Sequence, residues 1–227
     1  MIKNLLKLLF PSICNGCDTV LLNNEAVICS KCRHDLPYTN HHLVRNNETF
    51  KKFYGRLPVI HASSIVYFNK KGIVQQLIHN LKYKGAEEVG TFFGEIYGEE
   101  LLKIHSTEKF DAVIPVPLHK KRLKERGYNQ VTQFGSILSE RLSIPYEDGL
   151  LNRNFHSKTQ TKKNLLGRTD VNTSLFEANY TEKDHGKHFL LIDDVITSGA
   201  TLEACGKALL KIPDARVSIL TMAFAHS

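Results

Sequence analysis

The residues with the clearest chemical potential lie in one stretch, residues 190–201, which reads LLIDDVITSGAT. An apolar run leads there into two adjacent carboxylates, Asp193 and Asp194, and a loop of small and hydroxyl residues follows. A strand ending in a tight loop that opens a helix is a ready anion site, because unpaired amides at the helix start converge on one point. Carboxylates beside such a point suit the hydroxyl groups of a sugar. The pattern therefore predicts a site for a ribose phosphate.

The loop itself is suited to an anion. Gly199 lets the backbone approach the ligand closely, and Thr197, Ser198 and Thr201 add hydroxyl donors. A helix is predicted after the loop from apolar residues at helical spacing, which are Leu202, Cys205, Leu209 and Ile212. On that face Cys205 is expected to be a small core residue rather than a nucleophile.

Four further cysteines form two pairs of the type Cys-x-x-Cys. These residues are Cys14, Cys17, Cys29 and Cys32. Paired thiolates at this spacing can close a tetrahedron around Zn²⁺, and no further ligand at regular spacing suggests an open catalytic position. We therefore expect a structural zinc that supplies much of the folding energy of this short segment. Cysteines used as ligands rather than in disulfides indicate a cytoplasmic protein.

The chain carries a net charge of +7, and most of the excess is local. Between His119 and Asp170 there are eleven basic and five acidic residues, which leaves +6 in that segment. Such a run is either a solvated surface or a site for a polyanion. Its position between two predicted strands of a phosphate-binding domain favours the polyanion.

Apolar periodicity predicts strands that alternate with helices, and therefore a parallel sheet covered on both faces. The expected strands cover residues 62–68, 111–116, 190–192 and 217–223, and the expected helices carry their apolar residues within 73–81, 89–101, 131–142 and 202–212. Residues 39–57 show little periodicity and are interpreted as a linker. No apolar run approaches the length of a membrane span, and residues 1–10 are expected to form a short amphipathic helix rather than a signal peptide.

Several of these motifs together resemble a known family. Residues 190–201 are similar to the signature of type I phosphoribosyltransferases, which bind 5-phosphoribosyl-1-diphosphate (PRPP). The whole chain, with its cysteine pairs, resembles the ComF family, which is linked to DNA uptake in bacterial transformation. Further matches are LKYKG at residues 81–85, VIPVPL at 113–118, RLKERGYNQ at 122–130, and Thr159 and Gln160 followed by Arg168 and Asn172. No major departure from the family pattern is visible.

This resemblance implies an α/β protein with the parallel-sheet type I phosphoribosyltransferase fold and a small N-terminal zinc-binding domain. The zinc-ribbon domain and the start of the linker would take residues 1–50, and the phosphoribosyltransferase-like domain residues 51–227. The implied contacts of the PRPP 5-phosphate are Thr197, Ser198, Gly199, Ala200 and Thr201. Asp193 and Asp194 would hold the ribose hydroxyls. Pro117 and Leu118, in the loop of residues 116–119, would lie against the diphosphate, and Arg126 and Arg153 would also contact PRPP. Residues 153–168 would form a mobile lid.

The chemistry of such a reaction agrees with the residues. Displacing diphosphate from ribose C1 builds positive charge on the sugar and negative charge on the leaving group. Carboxylates, Mg²⁺ bound with PRPP and cationic side chains would stabilise that separation. The candidate cations for the diphosphate are Arg126, Arg153, Lys163 and Arg168, and the candidate catalytic residues are Asp193, Asp194 and Arg168. Lys82 and Lys84 could also reach a phosphate, or could satisfy the last carbonyls of their helix.

Two functions stay open. The chain is a phosphoribosyltransferase that acts on an acceptor which the sequence does not identify, or it is a non-catalytic protein that senses PRPP or a nucleotide and helps to handle single-stranded DNA together with DNA-uptake proteins. An intact acidic pair and phosphate loop favour the enzyme. Aromatic residues interleaved with the basic run are few, so a DNA-binding groove is not clearly indicated. Oligomeric state is not readable from the sequence.

Overall fold

The computed structural model describes residues 11–154 and 175–226. Its strands are β1 (Ala62–Phe68), β2 (Ala112–Pro115), β3 (Leu151–Arg153), β4 (Phe176–Ala178), β5 (His188–Ile196) and β6 (Arg216–Ala225). Four of them form a parallel sheet in the order β1-β6-β5-β2, and β3 pairs with β4 in a separate antiparallel ribbon. This order places β5 between β6 and β2 in the middle of the sheet.

Helices cover both faces of the sheet, as its almost continuously apolar strands require. They are α1 (Ser30–His34), α2 (Glu48–Lys51), α3 (Ile73–Tyr83), α4 (Glu88–Glu108), α5 (Lys120–Arg126), α6 (Thr132–Leu142) and α7 (Ala200–Leu209). Buried side chains of α3, α4 and α6 pack on one face, where they meet Leu190 and Ile192 of β5. Helix α7 and the β3–β4 ribbon pack on the other face against Phe189 and Leu191. The predicted layered α/β architecture is confirmed.

The neighbouring strands β2 and β5 end at the same edge of the sheet. Their register pairs Pro115 with Ile192, one residue before the first carboxylate of the acidic pair. In parallel sheets the loops at the carboxyl ends of the strands build the ligand site. The loop of residues 116–119 and the loop that follows β5 therefore lie next to each other, as the sequence predicted. Strand β5 is longer than predicted, because it runs on to Ile196 and includes both carboxylates.

The prediction of a linker at residues 39–57 is wrong. The side chains of Thr49 and Phe53 are buried, and helix α2 begins at an Asn47 cap whose Oδ1 accepts from the Phe50 amide. The Asn47 Nδ2 group donates to the carbonyl of Ala62 at 2.8 Å, which attaches this segment to β1. This segment is held to the sheet by hydrogen bonds of polar side chains. It therefore lacks the apolar periodicity by which packed segments are usually recognised in a sequence.

The cysteine-rich segment also lies against the sheet layers. Cys14 and Cys32 are buried in the same hydrophobic cluster as residues of α3 and α4. A Cβ atom added to Gly16 would lie 2.9 Å from Cγ2 of Ile73, so the first Cys-x-x-Cys pair, residues 14–17, contacts the start of α3 directly. Across residues 11–154 and 175–226, none of the helices is both long and apolar enough to cross a membrane.

Candidate functional site

The loop after β5 has the shape that its sequence predicted. Gly199 has a φ of +76°, in the left-handed region that glycine adopts without steric cost, and it caps the first turn of α7. The turn exposes backbone amides at the start of a ten-residue helix. A shallow pocket of about 50 Å³ lies over it. Its lining comprises Asp193, Val195, Ile196, Thr197, Ser198, Gly199, Ala200, Thr201 and Leu202.

An arginine that the sequence did not single out braces this loop. Arg56 Nη1 donates to the carbonyl of Ser198 at 3.0 Å and to that of Lys52 at 3.1 Å. Its guanidinium also pairs with Glu203 on the first turn of α7, with Nε 2.8 Å from Oε2. Two of these contacts reach residues that lie 142 and 147 positions away in the sequence, so no local sequence pattern predicts them. The segment predicted to be a linker therefore holds the loop of residues 197–201 in place.

The two carboxylates of the acidic pair point to opposite faces of the sheet. Successive side chains of a strand alternate between its faces, and both residues belong to β5. Asp194 lies on the α3 side, where Lys82 Nζ is 2.8 Å from its Oδ1. Asp193 lies on the α7 side, in the pocket over the loop. Only the first of the two predicted ribose ligands therefore faces the predicted phosphate site directly.

Their surroundings differ as well. The Asp194 side chain is 6% exposed, and its second oxygen, Oδ2, is buried without a hydrogen bond from any described residue. Burial, and next the charge of Asp194, raise the pKa of Asp193 to about 8. Burial and then the charge of Asp193 raise the pKa of the Cys205 thiol on α7, which is fully buried as predicted for a core residue.

The loop that follows β2 borders the larger cleft. Its start is fixed because the Val116 amide donates to the carbonyl of Ile192 at 3.0 Å, and Asn129 Nδ2 donates to the carbonyl of Val116 at 3.1 Å. A pocket of about 330 Å³ opens beside this loop. Pro117 and Leu118 line it together with Lys120 and Arg153. The predicted diphosphate loop thus lies beside a cationic cleft.

The predicted cations do not gather at one place. Arg153 ends β3 and lies over the ring of Phe176, 5.3 Å from its centroid, on the wall of the cleft beside Pro117. Arg126 instead lies at the end of α5, where it donates to Gln130 Oε1 at 2.8 Å and lines a different pocket. Lys163, Arg168 and most of the predicted lid fall outside the described residues. His119 caps α5, since its Nδ1 accepts from the Lys121 amide at 3.1 Å.

The four N-terminal cysteines come together as predicted. The sulfurs of Cys14, Cys17, Cys29 and Cys32 all lie within 4.8 Å of one another, and all four thiols are free of disulfides. The Cys17 and Cys29 sulfurs are 3.7 Å apart, close to the ~3.8 Å that Zn–S bonds of about 2.3 Å give in a tetrahedron. The amides of Cys29 and Gly16 donate to the Cys14 sulfur, which suits a thiolate. The cluster fits a tetrahedral metal ion.

The thiols differ in their surroundings. Hydrogen bonds from the side chain and the backbone of Thr19 lower the pKa of Cys17 to about 6. Burial raises the pKa of Cys14 and Cys32. A cysteine binds Zn²⁺ as its thiolate, so a metal ion would favour the ionisation of the two buried thiols.

Comparison with known proteins identifies a matching domain and several relatives. Residues 132–227 match the family described as phosphoribosyl transferase domain. The sequence is 26% identical over 199 residues to "Competence protein ComFC" of Bacillus subtilis, covering 88% of this chain and 78% of that one. It is 25% identical over 212 residues to "DNA utilization protein YhgH" of Shigella flexneri, covering 91% and 88%. A solved structure of glutamine phosphoribosylpyrophosphate amidotransferase from B. subtilis aligns with 19% identity over 62% of this chain and 30% of that one, at a TM-score of 0.40.

The sheet, the loop after β5 and the matched domain define a phosphoribosyltransferase-like protein with the type I α/β fold. The four-cysteine cluster in front of that domain, and relatives that span nearly the whole chain, support the resemblance to the ComF family.

Proposed function

We propose that this protein binds PRPP at the carboxyl edge of the sheet, with its 5-phosphate on the loop of residues 197–201. The observation that carries the proposal is that Asp193 and this loop line one pocket, while the loop of residues 116–119 lies beside it on the neighbouring strand. Amides and hydroxyls suit the phosphate, and a carboxylate suits the ribose hydroxyls. Asp193 supplies the larger share of the sugar contacts, because Lys82 already holds Asp194.

The reaction that this arrangement supports is transfer of the phosphoribosyl group to an acceptor, with release of diphosphate. Mg²⁺ bound with PRPP would neutralise charge on the diphosphate. Pro117 and Leu118 shape the wall on which the diphosphate lies, and Arg153 contributes positive charge there. The ionised form of Asp193 stabilises positive charge that develops on the sugar ring. Arg168 stays a prediction for the catalytic group, since it lies outside the described residues.

Calorimetric titration of the full chain with PRPP and Mg²⁺ tests the binding site. Replacing Asp193 and Asp194 together by Asn removes both negative charges and puts an amide donor where a carboxylate oxygen would accept from a ribose hydroxyl, so we expect affinity to fall by about 100-fold or more. The matched control is Asp214→Asn in the exposed turn before β6, at the opposite end of the sheet, which should leave the isotherm unchanged. Unchanged affinity in the double variant would show that PRPP, if bound, lies elsewhere.

A second candidate is a non-catalytic role in which the protein senses PRPP or a nucleotide and assists with single-stranded DNA. The observation in its favour is α5, a helix with no buried residue in which Lys and Arg outnumber the acidic residues. The names of the relatives, competence protein and DNA utilization protein, agree with it. Diphosphate release would be measured with a panel of bases and amines. If no base or amine in the panel caused diphosphate release although PRPP binds, this role would be favoured over the enzyme.

DNA binding needs its own test. A salt-dependent shift of single-stranded DNA that weakens when α5 loses its positive charges, but persists in Asp193→Asn, would locate DNA on a surface separate from the PRPP site. A shift that disappears in the Asp193 variant instead would indicate that nucleic acid and PRPP compete for one site.

We also infer that the cysteine cluster holds a structural Zn²⁺, which would join the N-terminal segment to the sheet layers. Metal analysis of the purified chain is expected to give about one zinc per chain. A domain boundary near residue 50 and a cytoplasmic location stay predictions. Limited proteolysis with and without a chelator tests the boundary, because loss of zinc should expose residues 11–39 to cleavage first.

A further inference from the structure

A pocket distinct from the two described above lies on the α3 side of the sheet, apart from the loop of residues 197–201. It has a volume of about 300 Å³ and opens between the end of α3 and helix α5. Its principal lining residues are Lys82, Tyr83, Arg122, Glu125, Arg126 and Tyr128. A volume of this size is at the lower end for small-molecule sites and matches one nucleotide-sized ligand. The loop of residues 197–201 does not contribute to this pocket.

The pocket carries an excess of positive charge. Three cations line it against the single carboxylate of Glu125. The ammonium group of Lys82 is already paired with Asp194 behind the pocket wall, at 2.8 Å. Arg122 and Arg126 therefore supply the charge that a ligand would meet, and guanidinium groups bind phosphate oxygens in pairs. The chemistry of this wall fits a phosphate group.

The other wall is aromatic and held in place. Tyr83 is 68% exposed, which is unusual for so large a ring. Two contacts orient this ring: the Arg126 guanidinium lies 5.2 Å from its centroid, and the His79 ring packs against it at 5.2 Å. The Tyr128 hydroxyl donates to the carbonyl of Leu81, which orients the second ring. An ordered layer of tyrosine and guanidinium gives a planar ligand a surface on which to stack.

We propose that this pocket binds a nucleoside phosphate, with its phosphate on Arg122 and Arg126 and its base against the layer of Tyr83 and Arg126. Neither wall alone specifies this ligand, because a simple anion would not use the rings and a neutral aromatic would not use the charge. The pocket volume of about 300 Å³ suits one nucleotide. This site is separate from the PRPP site, and its existence does not depend on PRPP binding.

The test is calorimetric titration of the full chain with AMP, CMP, GMP and UMP, compared with ribose 5-phosphate and with the matching nucleosides. At least one nucleotide should bind about tenfold or more tighter than ribose 5-phosphate and than its own nucleoside. Arg122→Ala should weaken that binding by about tenfold. The matched control is Lys124→Ala, which removes the same charge from the same helix outside the pocket lining and should change it less than about twofold.

Two further variants separate this site from the others. Tyr83→Ala should bring the nucleotide down to the affinity of ribose 5-phosphate, because the stacking surface is lost. Binding that survives Arg122→Ala but is lost in Asp193→Asn would place the nucleotide on the phosphate loop and overturn the proposal. A nucleotide that binds no tighter than ribose 5-phosphate, or binding seen only with an oligothymidine strand, would overturn it as well. So would the absence of nucleotide binding at about 1 mM.

Discussion

The two faces of β5 hold neighbouring carboxylates in different surroundings. On the α7 side, Asp193 lies in the phosphate-loop pocket, and burial raises its pKa to about 8. On the α3 side, Asp194 forms an ion pair with Lys82 in a largely buried position. Two residues adjacent in the chain thus serve different layers of the molecule. The difference shows that two acidic residues that look like one site in the sequence can lie in two separate environments when they belong to a strand.

The largest effect is expected from removing the proposed zinc, whose buried cysteine ligands pack with α3 on the Asp194 side of the sheet. Cys14 and Cys32 share a hydrophobic cluster with α3, the helix that carries Lys82. Cys29→Ser or strong chelation should lower the free energy of unfolding by several kcal/mol, because metal binding supplies folding energy to this segment. Thermal unfolding with parallel metal analysis measures it. Cys205→Ala is the control that keeps the metal, and a metal-free chain that unfolds like the wild type would contradict the prediction.

The next effect concerns the Asp193 side. Arg56→Ala removes the hydrogen bond to the Ser198 carbonyl and the pair with Glu203, so the phosphate loop loses its brace. PRPP affinity should fall about tenfold, with Kd measured by calorimetry. Lys207→Ala is the matched control, because it pairs with the same Glu203 at 2.6 Å without contacting the loop. Equal losses in the two variants would mean that the charge near α7, and not the brace, matters.

Lys82→Met tests the ion pair of Asp194 on the α3 side of the sheet. The substitution leaves a buried carboxylate without its partner, which should lower the free energy of unfolding at neutral pH by about 1–3 kcal/mol. Adding Asp194→Asn should restore most of that loss, because the uncompensated charge is then gone. Denaturant unfolding of the two single variants and the double variant gives the coupling. Additive losses would rule out the ion pair as a stabilising contact.

A smaller effect is expected from pH. The pKa of Asp193 is raised in the folded protein, so the folded state holds a proton that the unfolded state releases between about pH 4 and pH 8. Stability should therefore fall as pH rises through this window. Asp193→Asn removes this titration, and its stability should rise relative to the wild type by on the order of 1 kcal/mol for each pH unit within this window. Parallel pH profiles of the two proteins would refute the raised pKa.

Much of the fold could be predicted from the sequence where apolar spacing is regular. Strand β1 and the helices α3 and α6 coincide closely with their patterns, and the glycine loop after β5 has the expected turn. Side chains alternate between the two faces of a strand, so a strand that extends to Ile196 also predicts that Asp193 and Asp194 lie on opposite faces. The cysteine cluster was readable because its spacing is local.

The remaining features depend on contacts between distant parts of the chain. Arg56 reaches residues more than 140 positions away, and Lys82 meets a carboxylate 112 positions away. Residues 39–57 are held by buried polar side chains such as Thr49, which bonds to Ser64 at 2.7 Å, and apolar periodicity does not register such contacts. The short helix α5 and the β3–β4 ribbon were missed because each has few buried residues.

The central claim is that Asp193, rather than Asp194, faces the bound sugar phosphate. Calorimetric titration of Asp193→Asn and Asp194→Asn separately with PRPP and Mg²⁺ tests it most directly. The Asp193 variant should bind about 100-fold more weakly and the Asp194 variant less than about tenfold more weakly, because only Asp193 lines the phosphate-loop pocket. Equal losses, or a larger loss in the Asp194 variant, would contradict this account.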